Sequence, residues 1–340
     1  MTKVKVGIIG LGHNGQQHAA AHIASDKSEL VALCDKDGYR LHTVGDRLGI
    51  TNLYQNYHEM IADQNVQAVS IHTPDGYHKE PFLSALGAGK HILIEKPLAN
   101  TEEDLLEMVR ASEKVPSLKI EVGYILRFNP VFGKVREVVR SKKLGKIFYM
   151  ESDYIHNLKY KINATDPVTG KNWYLQDQIP MVSGGSHSLD ILRWIKGEEP
   201  ITVFSYSNHL AFPELSNDDS MVSIFKFHDG SLAKVVTLWA PECPKDPFYN
   251  LRIFGTKGTI ERDQICVPER NISQNYGFKP LEAQRIEGHP YGPEVDDWLT
   301  AIIEDGDTRT NLKDGANSTL AALCAVKSAR DQKEVMIPFF

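Results

Sequence analysis

Three glycines near the N-terminus have the spacing that a phosphate-binding turn requires. Gly10, Gly12 and Gly15 follow directly on an apolar run, residues 4–9, in G-x-G-x-x-G order. The first glycine permits a tight turn, the second lets a pyrophosphate approach the backbone, and the third lets the next helix pack on the strand. The helix N-terminus offers unpaired N–H groups and a partial positive charge to the phosphates. The chemistry predicted for this stretch is dinucleotide binding.

A carboxylate at the end of the next apolar run supports that prediction. Residues 30–34 are apolar and lead into Asp35, which lies about 20 residues beyond Gly15. A carboxylate there can accept both hydrogen bonds of a ribose diol and would repel a 2′-phosphate, so NAD is favoured over NADP. Lys36 is a complication, because its charge could attract that phosphate. An ordinary βαβ unit with an acidic strand end is the alternative.

Polar loops follow two further apolar runs that are typical of parallel strands. Residues 66–71 end in the stretch from His72 to His78, and residues 91–94 end in Glu95-Lys96-Pro97. Ligands of an open parallel sheet lie outside the carboxyl ends of its strands, so both loops are expected to border the cofactor, with Lys96 near the substrate. The predicted cofactor contacts are Gly10, Leu11, Gly12, His13, Asn14, Gly15, Asp35, Lys36, Thr73, Pro74, His78, Glu95 and Lys96.

A second group of chemically capable residues lies between residues 172 and 197. The stretch Ser183-Gly184-Gly185-Ser186 predicts a glycine turn before a helix over residues 188–196. His187 stands at the start of that helix beside the glycines, which makes it a candidate general base. A histidine that is hydrogen-bonded only for structural reasons is the alternative.

Motifs along nearly the whole chain resemble those of the Gfo/Idh/MocA oxidoreductase family. The matching stretches are GIIGLGHNG, HTPDGYH, GKHILIEKPLA, GYILRFNP, GGSHSLDILRW, GTKGTI and DQKEVMIP. The resemblance implies a Rossmann domain with a doubly wound parallel sheet, then an α/β domain with a large open, mostly antiparallel sheet whose outer face joins subunits. It also implies that Lys96 orients the substrate and that His187 transfers the proton.

One position departs from the family pattern. Family dehydrogenases often carry an aspartate four residues before the histidine, where this chain has Ser183. An aspartate would orient the imidazole and stabilise its charged form, whereas a serine can hydrogen-bond but carries no charge. Asp177 or Tyr174, just upstream, could supply the missing polar contact.

The order of apolar runs predicts two domains, residues 1–122 and 123–340. The first also has a strand over residues 118–122, and the second has strand-like runs at 147–154, 201–208, 221–228, 231–239 and 250–254. Alternating polar and apolar residues in several of these runs indicate a sheet with one exposed face. That face is expected to be partly apolar, with Phe204, Tyr206, Ile224 and Phe225 as contributors, and to join a homodimer or homotetramer.

Composition excludes several other classes of function. The formal net charge of −6 and the lack of basic runs give no support for nucleic-acid binding. Four dispersed cysteines without a C-x-x-C pair indicate free thiols, and no secretory signal or long apolar run is present, so a cytoplasmic protein without membrane segments is expected. His18 and His22 have a spacing that suits zinc but lack the acid of H-E-x-x-H, so no metal is predicted, and both are expected at the surface or partly buried.

The functional hypothesis is an NAD-dependent oxidoreductase that acts on a secondary alcohol of a sugar, an inositol-like polyol or a glycoside. Aromatic faces and forked donors suit sugar hydroxyls, which adds neighbours to the two catalytic candidates, Lys96 and His187. The predicted substrate contacts are Lys96, Tyr124, Arg127, Trp173, Tyr174, Ser183 and His187. The alternatives are a redox-neutral, NAD-using glycoside lyase or hydrolase that forms a transient keto-sugar, and a non-catalytic, ligand-sensing regulator.

Overall fold

The chain divides into two compact units. The computed structural model describes residues 3–244, 249–268, 277–284, 286 and 288–340. Unit 1 comprises Met1–Ile125, Thr165–Trp173 and Pro290–Ala316, and unit 2 comprises Leu126–Ala164, Tyr174–His289 and Asn317–Phe340. The sequence analysis predicted two domains with one boundary, residues 1–122 and 123–340, and that assignment stays a prediction.

Unit 1 is built on a six-stranded parallel sheet. Its strands are β1 (Val4–Ile9), β2 (Ser28–Cys34), β3 (Leu53–Tyr54), β4 (Ala68–Ile71), β5 (His91–Ile94) and β6 (Ile120–Val122). Their spatial order is β3-β2-β1-β4-β5-β6, and all neighbouring pairs are parallel. This is the order of the doubly wound dinucleotide-binding fold, so the predicted Rossmann sheet is confirmed. Strand β3 was not among the predicted strands.

Unit 2 is built on a nine-stranded sheet. Its strands are β7 (Ile147–Ile155), β8 (Pro200–Asn208), β9 (Ser220–Phe227), β10 (Leu232–Leu238), β11 (Tyr249–Gly255), β12 (Gly258–Glu261), β13 (Gln264–Cys266), β14 (Lys279–Pro280) and β15 (Val335–Met336). The order is β14-β13-β12-β11-β7-β10-β9-β8-β15. Only the β7–β10 pair is parallel among the described pairs. The predicted large, mostly antiparallel sheet is confirmed.

Helices connect and cover these strands. They are α1 (His13–Ala24), α2 (Gly38–Leu48), α3 (Tyr57–Ala62), α4 (Lys79–Gly87), α5 (Glu102–Ser112), α6 (Pro130–Arg140), α7 (Trp173–Gln176), α8 (Ser186–Lys196), α9 (Tyr291–Glu304) and α10 (Leu312–Asp331). Local sequence explains where several begin. The Thr101 hydroxyl accepts a hydrogen bond from the Asp104 N–H at 3.2 Å, and Asn129 caps α6 in the same way through the Val131 N–H at 3.0 Å.

Helix α9 packs into the core of unit 1, although it follows the strands of unit 2 in the chain. Its Val295, Trp298 and Leu299 form one buried cluster with Val4 and Val6 of β1, Ala68 and Leu93. Burial of this apolar stripe explains why residues 290–316 belong to unit 1. No helix within the described part of the chain is long and apolar enough to cross a membrane.

One face of the unit 2 sheet presents apolar side chains to solvent. Tyr206 is 70% exposed, Val222 44% and Ile224 37%. Phe225 was predicted to share this face, and that prediction is wrong: it is fully buried. Successive strand residues point to opposite faces, so Ile224 and Phe225 cannot lie on the same one.

The glycine-rich stretch before α8 differs from its prediction. Residues Met181–Gly185 form a π-helical turn that runs directly into α8, and not a glycine turn. The backbone of Gly185 is helical (φ −61°, ψ −26°). Gly184 and Gly185 instead allow the side chains of Tyr154 and Thr237 to approach the helix backbone closely.

Candidate active site

The glycine turn of unit 1 has the geometry of a phosphate cradle. Gly10 has φ +90°, and a Cβ added there would lie 2.6 Å from the His72 carbonyl oxygen. A Cβ on Gly15 would lie 1.9 Å from the Gly10 carbonyl oxygen, so α1 packs against the turn only because residue 15 is glycine. Space is open around Gly12, with no described atom within 4 Å of a Cβ position. Helix α1 begins at the next residue without a side-chain cap, which leaves its first N–H groups for an anion.

Asp35 is fixed beside this turn at the end of β2. One carboxylate oxygen accepts a hydrogen bond from the Leu11 N–H at 2.8 Å, and the other accepts one from the Asp37 N–H at 2.9 Å. The Arg40 guanidinium lies 3.3 Å away. The carboxylate is therefore oriented by the backbone of both the glycine turn and its own loop. The residues present fit the pyrophosphate and ribose of a dinucleotide.

The loops after β4 and β5 are joined by one histidine. The ring nitrogens of His78, which is 1% exposed, lie 2.7 Å from the Pro97 carbonyl oxygen and 2.8 Å from that of Thr73. The Thr73 hydroxyl donates a hydrogen bond to the Tyr77 carbonyl. Lys96 is half-buried and precedes Pro97 through a cis peptide bond. His78 thus ties together the two strand-end loops that carry the predicted contacts.

The side chain of Glu95 belongs to a cluster of buried titratable groups in unit 1, together with His72, His18 and Glu294. The Glu95 carboxylate is 3.5 Å from His72 Nδ1 and 4.0 Å from His18 Nδ1, and His18 Nε2 is 3.0 Å from Glu294. His22, on the next turn of α1, packs edge-on against Trp298. His18 and His22 are 1% and 0% exposed, so the prediction that they lie at the surface or partly buried is wrong. Helix α9, which the local sequence pattern did not place here, covers them.

Burial and nearby charges shift the pKa values of this cluster, and the direction differs between its members. Burial lowers the pKa of His72 to about 4, and the positive charge of His18 adds to that effect. Burial also lowers the pKa of His22 well below its ordinary value. The pKa of His18 is raised, because Glu294 and Glu95 outweigh the effect of burial. Burial raises the pKa of the Glu294 carboxyl, against the opposing influence of His18.

His18, His72 and Glu95 are also close enough to be considered as metal ligands. Their ligand atoms all lie within 4.8 Å of one another. However, His18 Nδ1 is 3.0 Å from the Asn14 carbonyl oxygen and His18 Nε2 is engaged with Glu294. A metal on this ring would have to displace one of these bonds, so the arrangement fits a hydrogen-bonded network better than a metal centre.

In unit 2, His187 is buried and has an aromatic neighbour, Tyr154. It is the second residue of α8, is 7% exposed, and stacks on Tyr154 with ring centroids 6.5 Å apart and planes 19° apart. The Tyr154 hydroxyl is 3.2 Å from His156 Nδ1. A Cβ on Gly184 would lie 2.5 Å from the Tyr154 ring, and one on Gly185 would lie 2.3 Å from Thr237 Oγ1. The glycines therefore let strands β7 and β10 approach the helix that carries His187.

The other predicted substrate contacts differ in their exposure. Arg127 is 1% exposed and forms a two-point ion pair with Asp190 on α8, at 2.8 and 2.6 Å. Tyr124 is fully buried, and Ser183 is 4% exposed. Trp173 and Tyr174 are half-buried, and Lys161 Nζ lies 4.6 Å from the centre of the Tyr174 ring. Lys96, Tyr124 and Trp173 belong to unit 1, and Arg127, Tyr174, Ser183 and His187 belong to unit 2.

Sequence analysis missed several neighbours of the predicted residues. Two of them are Tyr154, in β7, and His156, one residue past its end; they are two positions apart, and the alternation of an extended chain places such residues on one side. Asp166, which pairs with Lys36, comes from a loop more than a hundred residues away. No local pattern connects these last two residues.

Comparison with known proteins identifies both units. Residues 4–124 match the family model described as "Oxidoreductase family, NAD-binding Rossmann fold", and residues 132–261 match the "GFO/IDH/MocA C-terminal domain". The chain is 28% identical to myo-inositol 2-dehydrogenase of Thermotoga maritima, over 98% of both chains. It is 22% identical to levoglucosan dehydrogenase of Pseudarthrobacter phenanthrenivorans, over 99% of both.

Solved structures share the same fold over the full length. Levoglucosan dehydrogenase in complex with NADH aligns with a TM-score of 0.86 at 23% identity, covering all of both chains. A myo-inositol 2-dehydrogenase from Lactobacillus plantarum aligns with a TM-score of 0.82 at 23% identity, covering 99% of this chain and 100% of the other. The two sheets and their order in the chain therefore belong to a known architecture.

Proposed function

Because the chain belongs to the Gfo/Idh/MocA oxidoreductase family, we propose that it oxidises a secondary alcohol of a sugar, an inositol-like polyol or a glycoside with NAD. Relatives named for inositol and levoglucosan dehydrogenation support this substrate class. The observation that carries the proposal is the open glycine cradle at Gly12 with Asp35 fixed beside it.

The proposed catalytic residues are Lys96 and His187. Bound NAD supplies a hydride acceptor. The Lys96 ammonium donates a hydrogen bond to the substrate oxygen, and its charge stabilises the alkoxide that develops there. His187 accepts the hydroxyl proton as general base. The Tyr154 ring lies nearly parallel to the imidazole, 6.5 Å away between centroids, and a positioned base favours proton transfer from a positioned substrate.

In addition to the two catalytic residues, we propose that the half-buried aromatic residues Trp173 and Tyr174, and Ser183, contact the substrate. Arg127 is better suited to a supporting role, because its guanidinium is consumed by the ion pair with Asp190 on the helix of His187. Tyr124 is likewise completely covered. We assign both to holding the backbone around the site.

We further propose that residues 1–122 bind the cofactor and that residues 123–340 bind substrate and join subunits. Four exposed apolar side chains on one face of the unit 2 sheet, those of Tyr206, Val222, Ile224 and Leu232, support a homodimer or homotetramer through that face. Four free cysteines fit a cytoplasmic protein.

A substrate scan tests the proposal. Purified protein is mixed with NAD and with inositols, hexoses, anhydrosugars and glycosides in turn, and NADH absorbance and released aglycone are both recorded. We expect NADH to accumulate with at least one polyol or sugar. Aglycone release without net NADH would instead establish redox-neutral glycoside cleavage, and cofactor binding without either product would indicate a regulator.

A further inference from the structure

The cation next to Asp35 in the chain is held by a carboxylate from a distant loop. We propose that Asp166 is a cofactor-specificity residue: it holds Lys36 in an ion pair and so prevents Lys36 from binding the 2′-phosphate of NADP. This inference rests on the proposed function, in which NAD binds to unit 1.

Lys36 is in a position where an unpaired ammonium would weaken the choice of cofactor. It directly follows Asp35, whose carboxylate accepts a hydrogen bond from the Leu11 N–H of the glycine turn and is expected to bind the ribose diol. Its side chain is 48% exposed, so without a partner its ammonium group would be free to move toward the 2′-phosphate of a bound NADP. Repulsion by Asp35 and attraction by a free Lys36 would then act on the same phosphate with opposite signs.

The structure directs this ammonium elsewhere. Lys36 Nζ lies 3.2 Å from Asp166 Oδ2 and 5.9 Å from the centre of the Tyr77 ring. Asp166 belongs to Thr165–Trp173, a segment of unit 1 that interrupts the chain of unit 2. The ion pair is therefore a contact within the cofactor-binding unit.

The Asp166 carboxylate is fixed by its own loop before it meets Lys36. Its Oδ1 accepts hydrogen bonds from the Val168 N–H at 3.1 Å, the Thr169 N–H at 2.8 Å and the Thr169 hydroxyl at 2.9 Å. The backbone of Asp166 also pairs with the Lys171 carbonyl and the Gly170 N–H. With Oδ1 used by the loop, Oδ2 is presented to the lysine. The side chain is only 11% exposed, which limits screening by water.

The second cation near Asp35 is paired in a similar way. Arg40 Nη1 lies 3.3 Å from Asp35, and its Nη2 lies 3.3 Å from Asp37. Both cations beside the ribose position are thus already matched by carboxylates of unit 1. A 2′-phosphate carries about −1.5 to −2 charges. It would be repelled by three carboxylates, those of Asp35, Asp37 and Asp166, while Lys36 and Arg40 are already in ion pairs with them. Asp166 supplies the charge that tips this balance against NADP.

The test compares dissociation constants for NAD and NADP, measured by calorimetry on the intact protein without substrate. Asp166→Asn removes the charge, while the asparagine carbonyl can still accept the loop hydrogen bonds. Asp305→Asn is the matched control, because Asp305 also pairs with a lysine of unit 1, Lys119 at 2.7 Å. Lys119 lies at the amino end of β6, at the opposite edge from the cofactor-binding loops.

We expect Asp166→Asn to tighten NADP binding by about fivefold, the effect of one charge interaction at about 4 Å in water, and to leave NAD binding within about twofold. Adding Lys36→Met should abolish most of that gain, and raised salt should reduce it. Equal changes for both cofactors, or no more change than in Asp305→Asn, would overturn the inference and leave the proposed function standing. An unmodified protein that binds neither dinucleotide would contradict both.

Discussion

At the scale of single residues, the proposed reaction needs a positive lysine and a neutral histidine at the same substrate oxygen. Lys96 and His187 come from different units and from unlike surroundings. Lys96 is half-buried in a strand-end loop, whereas His187 is 93% covered and stacked on Tyr154. In the proposed reaction both groups act at one step, so removing either is expected to reduce the same rate constant.

We expect His187→Ala and Lys96→Ala each to lower turnover by about 100- to 10,000-fold, the range for a lost general acid or base. NAD affinity should stay nearly unchanged in both, because neither is needed for the glycine cradle. Steady-state rates and calorimetric NAD affinity check this, with His228→Ala in an exposed turn as control. A His187→Ala protein that kept most of its turnover would remove that residue from the mechanism.

Two buried histidines of unit 1, His22 and His72, predict a loss of stability in acid. Burial lowers the pKa of His22 and of His72, the latter to about 4. Between these pKa values and the ordinary histidine pKa, the unfolded chain therefore binds protons that the folded protein does not bind. Their contribution to stability is therefore complete above about pH 6.5, where unfolded histidines are neutral. Below that pH each such histidine costs about 1.4 kcal/mol per pH unit, until its folded-state pKa is reached.

His22→Leu should accordingly weaken the fall in melting temperature between pH 7 and pH 5. The ring nitrogens of His22 have no hydrogen-bond partner among the described residues, so leucine removes the titration and the edge-on ring contact with Trp298 but breaks no side-chain hydrogen bond. Thermal unfolding across pH checks this, with exposed His42→Leu as the control. Identical pH slopes for the parent and His22→Leu would contradict the assignment.

At the scale of elements, sequence patterns predicted correctly those elements that are stabilised by residues close to them in the chain. The strand–glycine–helix unit at residues 4–24 and the cap at Thr101 depend on neighbouring residues, and both are found in the structure. The stretch at Ser183–Ser186 was misinterpreted because two adjacent glycines are typical of a turn. Here they serve close packing with Tyr154 and Thr237, which come from strands far away in the sequence.

The π-helical turn gives a prediction at this scale. Gly184→Ala would place a methyl group 2.5 Å from the Tyr154 ring, and such overpacking costs about 1–3 kcal/mol of stability. Turnover should fall as well, because Tyr154 stacks on His187. Gly133→Ala is the control: it lies within α6 with no described atom within 4 Å of its Cβ position, and it should stabilise by about 0.5–1 kcal/mol. Chemical denaturation compares the two, and equal stabilisation would refute the close contact.

At the scale of the whole molecule, long-range features limited prediction from the sequence. Both sheets followed from strand patterns, but the short strand β3 and helix α3 are too brief to stand out. That Thr165–Trp173 and Pro290–Ala316 belong to unit 1 depends on contacts such as Lys36–Asp166 and on Trp298 in the core. Those contacts join residues that are far apart in the sequence, which periodicity does not reveal.

The exposed face of the unit 2 sheet predicts self-association. A charged row, Glu151 with Lys234 at 3.1 Å and Arg252 at 2.9 Å, crosses this face beside the apolar side chains. We expect a dimer or tetramer in light scattering, and Tyr206→Glu combined with Ile224→Lys should dissociate it. A monomer mass for the parent protein at all concentrations would contradict the proposed interface.

The most direct measurement is the fate of the hydrogen on the oxidised carbon. A substrate found in the scan is prepared with deuterium at its carbinol carbons and incubated with NAD, and the dinucleotide is analysed by mass spectrometry. Net dehydrogenation predicts one deuterium in each NADH formed, and His187→Ala should form this labelled NADH about 100- to 10,000-fold more slowly at comparable NAD occupancy. Deuterium that returned to the sugar while NAD was recovered unlabelled and oxidised would contradict the account.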